Sequence, residues 1–277
     1  MSEYGIQYKK RLSKQQARSK ICAHAMFGNH GISPRPKSPS EVQNFFLQKG
    51  INTDIMIEEC RDPKHIVSHF ENLVRSTWIA DMTSGGSVSL VNGDGEVISE
   101  MKKPGLFIWS NYQAHFEAAC SSRDRAVQTS SYSDFQECLT QGFASMEAFF
   151  NEWAMKWNKQ FPENPLVDAL DHKVSLEEKM EKWIPMMSGG GQVEKSNQVW
   201  NDFKSLKKLR DDNAIHPKLP GQTIVWDVFA SQINAFRLGI AQLLANLHRH
   251  TGLDVPSVII NAIYMPDVEV VTEQQPT

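Results

Sequence analysis

The decisive stretch is Trp200-Asn201-Asp202-Phe203-Lys204-Ser205-Leu206-Lys207-Lys208-Leu209, continued by Arg210-Asp211-Asp212-Asn213-Ala214-Ile215-His216-Pro217. Val199, Phe203 and Leu206 fall at helical spacing and trace one apolar stripe. The next positions on that stripe are Arg210 and Asn213. At about 100° per residue, Arg210, Asn213 and His216 share an arc of about 120° that continues the buried face. Polar groups on such a face are costly unless they are paired or put to use. The helix is expected from about Ser196 to His216, where Pro217 stops it.

Three further helices surround this one in the sequence. Ser133, with Gln136 three residues on, offers a capping box for a helix running to about Trp157. Its Phe143, Met146, Phe150, Trp153 and Trp157 recur at spacings of three and four. Ser175, with Glu178 at the third helical position, starts another that ends near Ile184, before Pro185. Ser188-Gly189-Gly190-Gly191 then breaks the chain. A last helix is expected from about Ile224 to His250, with Phe229, Ile233, Phe236, Ile240 and Leu244 on its apolar side and Gly252 at its end. Short connections between the four imply an antiparallel bundle over residues 131–252.

Upstream, the alternating prolines of Ser33-Pro34-Arg35-Pro36-Lys37-Ser38-Pro39-Ser40 suggest a linker closing a flexible arm at residues 1–40. That arm holds Lys9, Lys10, Arg11, Lys14, Arg18, Lys20, Arg35 and Lys37 against Glu3 alone, a net of +7. Such a balance suits phosphates or an acidic partner, and the simpler reading is a solvated flexible arm. Residues 41–130 suggest a small α+β module. Ile66–Met82 has helical patterning, Ser87–Val91 and Glu96–Ser99 alternate around Asn92-Gly93-Asp94-Gly95 as a hairpin, and Gly105–Trp109 forms a further strand candidate. The segment 253–277 ends in an acidic, polar tail after Pro266, expected to be disordered. The fold class is therefore mainly α, a helical bundle preceded by a small α+β module and a basic arm.

With 277 residues, 40% hydrophobic and 22% charged, the composition is that of a globular protein with room for a sizeable core. The longest apolar run near the C-terminus, Leu238–Leu247, is too short to span a bilayer. Met1-Ser2-Glu3-Tyr4 leads into lysines rather than the apolar core of a secretory signal. Cys22, Cys60, Cys120 and Cys138 are scattered and form no CxxC pair, which suits free thiols in the cytoplasm.

A helix ending in Arg, a polar stretch and His, placed third of four, resembles the HEPN superfamily, whose motif is Arg, four to six residues, then His. Arg210 and His216 enclose five. The helix carrying Phe143-Ala144-Ser145-Met146-Glu147 resembles the family's opening helix, and the resemblance spans roughly residues 131–250. It implies a homodimer or pseudo-dimer in which two motifs meet across a cleft. It also implies either a metal-independent RNA endonuclease in a defence, toxin or stress role, or a non-catalytic module that binds a nucleotide or partner protein. Two positions depart from the pattern. Asp211 stands where active members often carry Asn, and His216-Pro217-Lys218-Leu219-Pro220 replaces the Tyr-x-Tyr of the antitoxin-paired subgroup. By the helical wheel Asp211 lies about 100° from Arg210 and is expected to point elsewhere.

The chemistry of metal-free RNA cleavage suits these residue types. Histidine titrates near working pH, so His216 can move the 2′-hydroxyl proton. Arginine stays charged and grips two phosphate oxygens, the role of Arg210, while Asn213 positions either group. Lys204, Lys207, Lys208 and Lys218 would hold RNA, and Glu147 and Asp211 would support the site. No cofactor or metal is called for. The bland reading competes: cations suit a helix C-terminus, and Arg210 can simply pair with Glu147 or another bundle carboxylate. Residues 131–250 carry a net of −2, which argues against strong nonspecific RNA binding by the bundle alone. A regulatory protein or ligand on residues 41–130 is a further possible partner.

Weaker candidates are His65 and His69 at i and i+4, Cys22 with His24 and His30, and the Gly189-Gly190-Gly191 run. The histidines lack a third ligand and the glycines lack a following Lys-Ser/Thr, so half-buried histidines and a hinge are the simpler readings.

Overall fold

The computed structural model describes residues 3–28, 34–48, 50–62, 79–82, 88–91, 97–101, 111–166, 174–212 and 223–273. The described chain is mainly helical. In order it runs β1 (Glu3–Tyr8), α1 (Lys14–Phe27), α2 (Pro39–Gln48), α3 (Thr53–Cys60), β2 (Ile79–Met82), β3 (Val88–Val91), β4 (Val97–Met101), α4 (Asn111–Thr129), α5 (Tyr132–Gln160), α6 (Leu176–Met187), α7 (Gln198–Arg210), α8 (Trp226–Phe236), a π-helical segment Arg237–Gln242, α9 (Leu243–His250), α10 (Ser257–Ile263) and β5 (Val268–Glu273).

The long α5 is the spine. Its Phe135, Leu139, Phe143, Met146, Phe149 and Phe150 are buried, while Trp153 and Trp157 lie partly buried on the same core. The expected stripe is therefore present. Its cap sits two residues earlier than the expected Ser133: the Ser131 hydroxyl accepts from the Asp134 backbone N–H. The tight turn at Ser130, with φ at 52°, makes Ser131 the residue that faces the open first turn, and Ser133 only bonds the Ser131 hydroxyl.

Helix α4 packs antiparallel along α5, as the Ser145 hydroxyl bond to the Tyr112 carbonyl and the His115–Gln141 bond show. It adds Phe116, Ala119, Ala126 and Val127 to the main core. The boundary expected at 130/131 therefore moves: α4 belongs with the helices that follow it. Helix α6 starts at the expected Ser175 cap, whose hydroxyl accepts from Glu178, but it carries on through Pro185 to Met187. Gly189 and Gly190 then take positive φ, which makes the break the triple glycine suggested. Helix α8, the π segment and α9 form one continuous rod across the expected Ile224–His250 span, and Gly252 ends it with a φ of 70°. A Cβ on Gly239 would stand 2.7 Å from the α7 backbone at Asp202 and Phe203. Only a glycine lets these two helices cross so closely.

Two expectations about the chain's flanks are corrected. Residues 1–40 are not a free arm: β1, α1 and the start of α2 are folded, and the latter two join α3 over a second, smaller core of Ala17, Ile21, Ala25, Val42, Phe46 and Met56. Lys9, Lys10, Arg11, Lys14 and Arg18 lie exposed, so the positive charge coats folded elements. The proline run ends where α2 begins, because Pro39 takes the first helical position, where its missing N–H costs nothing. The acidic tail is also folded as far as Glu273. β5 pairs antiparallel with β1, from Glu3↔Glu273 to Tyr8↔Val268, and Val268 enters the main core. The valines at alternate positions supply the buried side that the acidic residues obscured.

In the 41–130 region the expected hairpin is present as β3 and β4, antiparallel, with β2 added on the far side of β3. The helix expected over 66–82 is corrected at its end, because Ile79–Met82 is a strand. Residues 66–78 and the strand candidate at 105–109 lie outside the described residues. Among the described residues, no helix is long and apolar enough to cross a membrane.

Candidate functional site at the end of helix α7

Helix α7 is capped by Asn197, whose side chain accepts from the Trp200 N–H, and it buries Phe203 and Leu206 against α5 and the π segment. Its last residue, Arg210, lies on the extension of that stripe. The guanidinium carbon stands 4.4 Å from the centre of the Phe143 ring, and the side chain is 20% exposed. Stacking on an aromatic face and keeping one edge toward solvent is how a half-buried arginine retains its charge.

The partner of Arg210 is its own neighbour. One carboxylate oxygen of Asp211 accepts from Arg210 Nε at 2.9 Å and from Nη2 at 2.6 Å. The other accepts from Lys207 Nζ at 2.9 Å. The helical-wheel expectation that Asp211 points elsewhere is thus overturned. Asp211 keeps helical dihedrals, φ −63° and ψ −41°, and the long arginine side chain reaches round the helix to its neighbour. Partial burial raises the Asp211 carboxyl, but the bonds from Arg210 and Lys207 outweigh it and hold the group below its ordinary value. Lys207 is raised in turn, chiefly by its bond to Asp211 and with help from Glu177.

Glu177, in the first turn of α6, ties the basic run to the neighbouring helix. It lies 3.0 Å from Lys204 and 3.6 Å from Lys207. Lys204, Lys207, Lys208, Asp211 and Asp212 line one shallow cavity of about 530 Å³. The basic patch is therefore real in space, but it is threaded with carboxylates. Glu147 does not reach it: it pairs with the buried Lys179 at 2.8 Å, and Lys179 also sits 5.3 Å from the Trp183 ring centre. Arg210 thus pairs with Asp211, and Glu147 with Lys179.

Asn213, His216 and Lys218 lie outside the described residues, as do His30, His65 and His69. Of the remaining weak candidates, His24 is buried and bonds Asn261, and burial raises the half-buried Cys22 thiol. Among the described residues, no group of three His, Cys, Asp or Glu is placed to hold a metal ion.

Arg123 and His248 are among the buried polar residues that no sequence pattern singled out. Arg123, 1% exposed, lies 4.9 Å from the Phe236 ring, and its Nε and Nη1 have no partner among the described residues. His248 is equally buried and bonds the Asp254 carbonyl through Nδ1 at 2.8 Å. The signal for His248 was present in the apolar run Leu243–Leu247 that leads into it, since the same face continues to position 248. No family model, curated protein or solved structure matches the chain.

Proposed function

We propose that α5, α6, α7 and the α8–α9 rod form a HEPN-like four-helix bundle, and that the chain is a metal-independent RNA endonuclease acting as a dimer. Its site pairs the Arg210–His216 motifs of two copies. The observation that carries this reading is the setting of Arg210. Its guanidinium is fixed over Phe143 and grips a carboxylate through Nε and Nη2, the edge that also fits a phosphodiester. Asp211 stands where substrate phosphate would stand. In the reaction, His216 takes the 2′-hydroxyl proton, Asn213 positions the scissile group, and Arg210 steadies the phosphate as charge builds on it. Lys204, Lys207, Lys208 and Lys218 hold the flanking strand. The setting is cytoplasmic defence, toxin action or stress, with residues 41–130 available to a regulator.

The test is cleavage of mixed cellular RNA in EDTA, wild type against His216→Ala, with product ends analysed. The expected result is 2′,3′-cyclic phosphate ends from the wild type and none from the variant, with dimerisation unchanged. Full activity in the variant would remove His216 from the mechanism.

The internal Arg210–Asp211 pair also favours a second reading, a non-catalytic HEPN-like module that dimerises and binds a nucleotide or partner. Asp211→Asn separates the two. It removes the competing acid, so a nuclease gains RNA affinity by about tenfold, equivalent to about 1.4 kcal/mol. Fluorescence anisotropy with labelled single-stranded RNA measures this, and an unchanged affinity in Asp211→Asn supports the module.

A further inference from the structure

Lys9, Lys10, Arg11, Lys14 and Arg18 are exposed on the turn between β1 and α1 and on α1 itself. No acid lies within residues 9–18, which therefore carry a net of +5 in a chain whose total is −3. The fold gathers these cations around one residue of α3. The Glu58 carboxylate meets Lys14 at 2.9 Å and Arg61 at 3.0 Å, and the Glu58 carbonyl accepts from Arg11 Nη2 at 2.6 Å. Arg18 follows Lys14 by one helical turn on the same face of α1. Lys9 and Lys10 lead directly into Arg11.

The acids of α3 answer only part of this charge. Residues 54–62 hold Asp54, Glu58, Glu59 and Asp62 against Arg61, a net of −3, which leaves +2 for the two stretches together. Glu58 is shared by Lys14 and Arg61, whose bonds hold its carboxyl below the ordinary value. Lys9, Lys10 and Arg18 have no ion pair among the described residues, and Arg11 bonds a carbonyl rather than a carboxylate. Elsewhere exposed cations are tied to acids, as Arg35 is to Asp254, Arg125 to Glu137 and Lys182 to Glu178.

The apolar residues of the run do not reach its surface. Leu12 is 1% exposed and Ala17 is fully buried. A protein partner is anchored by aromatic or aliphatic side chains at a desolvated centre, and a helix lying on a bilayer needs an apolar face as well as charge. This surface offers neither. A phosphodiester backbone needs only lysine and arginine.

We propose that the β1–α1 turn and the outer face of α1 form a docking surface for a nucleic acid backbone, with Lys9, Lys10, Arg11 and Arg18 each meeting a phosphate. Contacts to phosphate fix a strand in place without reading its bases. None of these residues lines the cavity of Lys204–Asp212. The surface goes beyond the nuclease reading and does not depend on it, since it holds a strand whether or not that strand is cut. RNA and DNA share the phosphodiester chemistry.

Fluorescence anisotropy of the full chain with labelled 2′-O-methyl RNA, and with DNA of the same length, tests the proposal. The methylated strand cannot be cleaved through its 2′-hydroxyl, so a failed cleavage assay leaves this result untouched. Four phosphate contacts contribute about −3 to the slope of log affinity against log salt. Replacing Lys9→Gln, Lys10→Gln and Arg18→Gln together should weaken binding at about 50 mM salt by roughly tenfold or more and make that slope shallower by about 2. The three side chains are exposed, so circular dichroism should stay unchanged. Lys156→Gln, Lys159→Gln and Lys182→Gln together remove the same charge from other exposed positions and should keep the wild-type slope. Binding of both strands shows that the backbone alone is recognised, and binding of one strand alone identifies the source. If neither strand binds, or if the two triple variants weaken binding equally, the surface is not a nucleic acid site. Binding to phosphatidylserine vesicles in place of either strand would make it a lipid surface and equally overturn the proposal.

Discussion

Gly239→Ala is expected to lower the melting temperature by roughly 10 °C, from a loss of about 3 kcal/mol. The direction is informative because two effects oppose each other. Alanine is the better helix former by about 1 kcal/mol, so in a roomy position the change would stabilise. Here the added methyl would stand 2.7 Å from backbone atoms of Asp202 and Phe203. Backbone cannot swing aside as a side chain can, so α7 and the rod must separate. That separation would draw Phe203 and Ile240, both fully buried, out of contact. Gly142 lies close by, where an added methyl would meet the Ile240 side chain at 2.9 Å, a contact a rotamer change can relieve. Gly142→Ala is therefore the milder companion. Thermal unfolding of both variants checks the ranking. A Gly239→Ala protein as stable as wild type would mean that the helices have slack at this crossing.

Acidification should weaken the fold through His248 before ordinary carboxylates titrate. The unfolded imidazole titrates near 6.5 and the folded one near 4. Between these values the unfolded chain binds the extra proton, so stability falls as pH falls. The full effect is about 3 kcal/mol, complete once pH has dropped to the folded value. Denaturant unfolding at pH 7 and pH 4.5, in wild type and in His248→Phe, isolates it. The phenylalanine is accommodated by Tyr112 and Phe149 and cannot be charged, so its stability should change less over the same range. Equal slopes in the two proteins would show that His248 is not held neutral by burial.

Much of the helical part was legible because its signals are local. The Phe143–Trp157 stripe, the Ser175 cap with Glu178, the triple-glycine break and the rod ending at Gly252 each depend on residues within a few turns of one another. Helix α4 escaped because the buried Ser122 and Arg123 interrupt its stripe of Tyr112, Phe116, Ala119, Ala126 and Val127. The folded flanks escaped for different reasons. α1 buries Lys20 and His24 beside Ala17 and Ile21, so a basic count mistook a packed helix for a solvated arm. β1 and β5 pair across nearly the whole chain, and no local pattern announces a partner that distant.

At the candidate site, Arg210 was legible as a charge on an apolar stripe, and it does sit there, against Phe143. Its pairing with Asp211 was not legible. The wheel places only the directions in which side chains leave the helix, and an arginine is long enough to reach an acid about 100° round it. The difference matters, because the acid that was expected to turn away is the one that holds the arginine. His216 and Asn213 cannot be placed against it, since both lie outside the described residues.

The pairing of β1 with β5 also orders the birth of the protein. On a ribosome β1 emerges before the described helices, and its only strand partner among the described residues is made after them. Until then its backbone donors and acceptors stay open and Ile6 has no finished core to enter. The helices between can assemble as they are synthesised, since their contacts are close in sequence. Closing the β1–β5 ladder thus waits until β5 is made, which leaves the nascent chain with a sticky edge while every helix between them is synthesised.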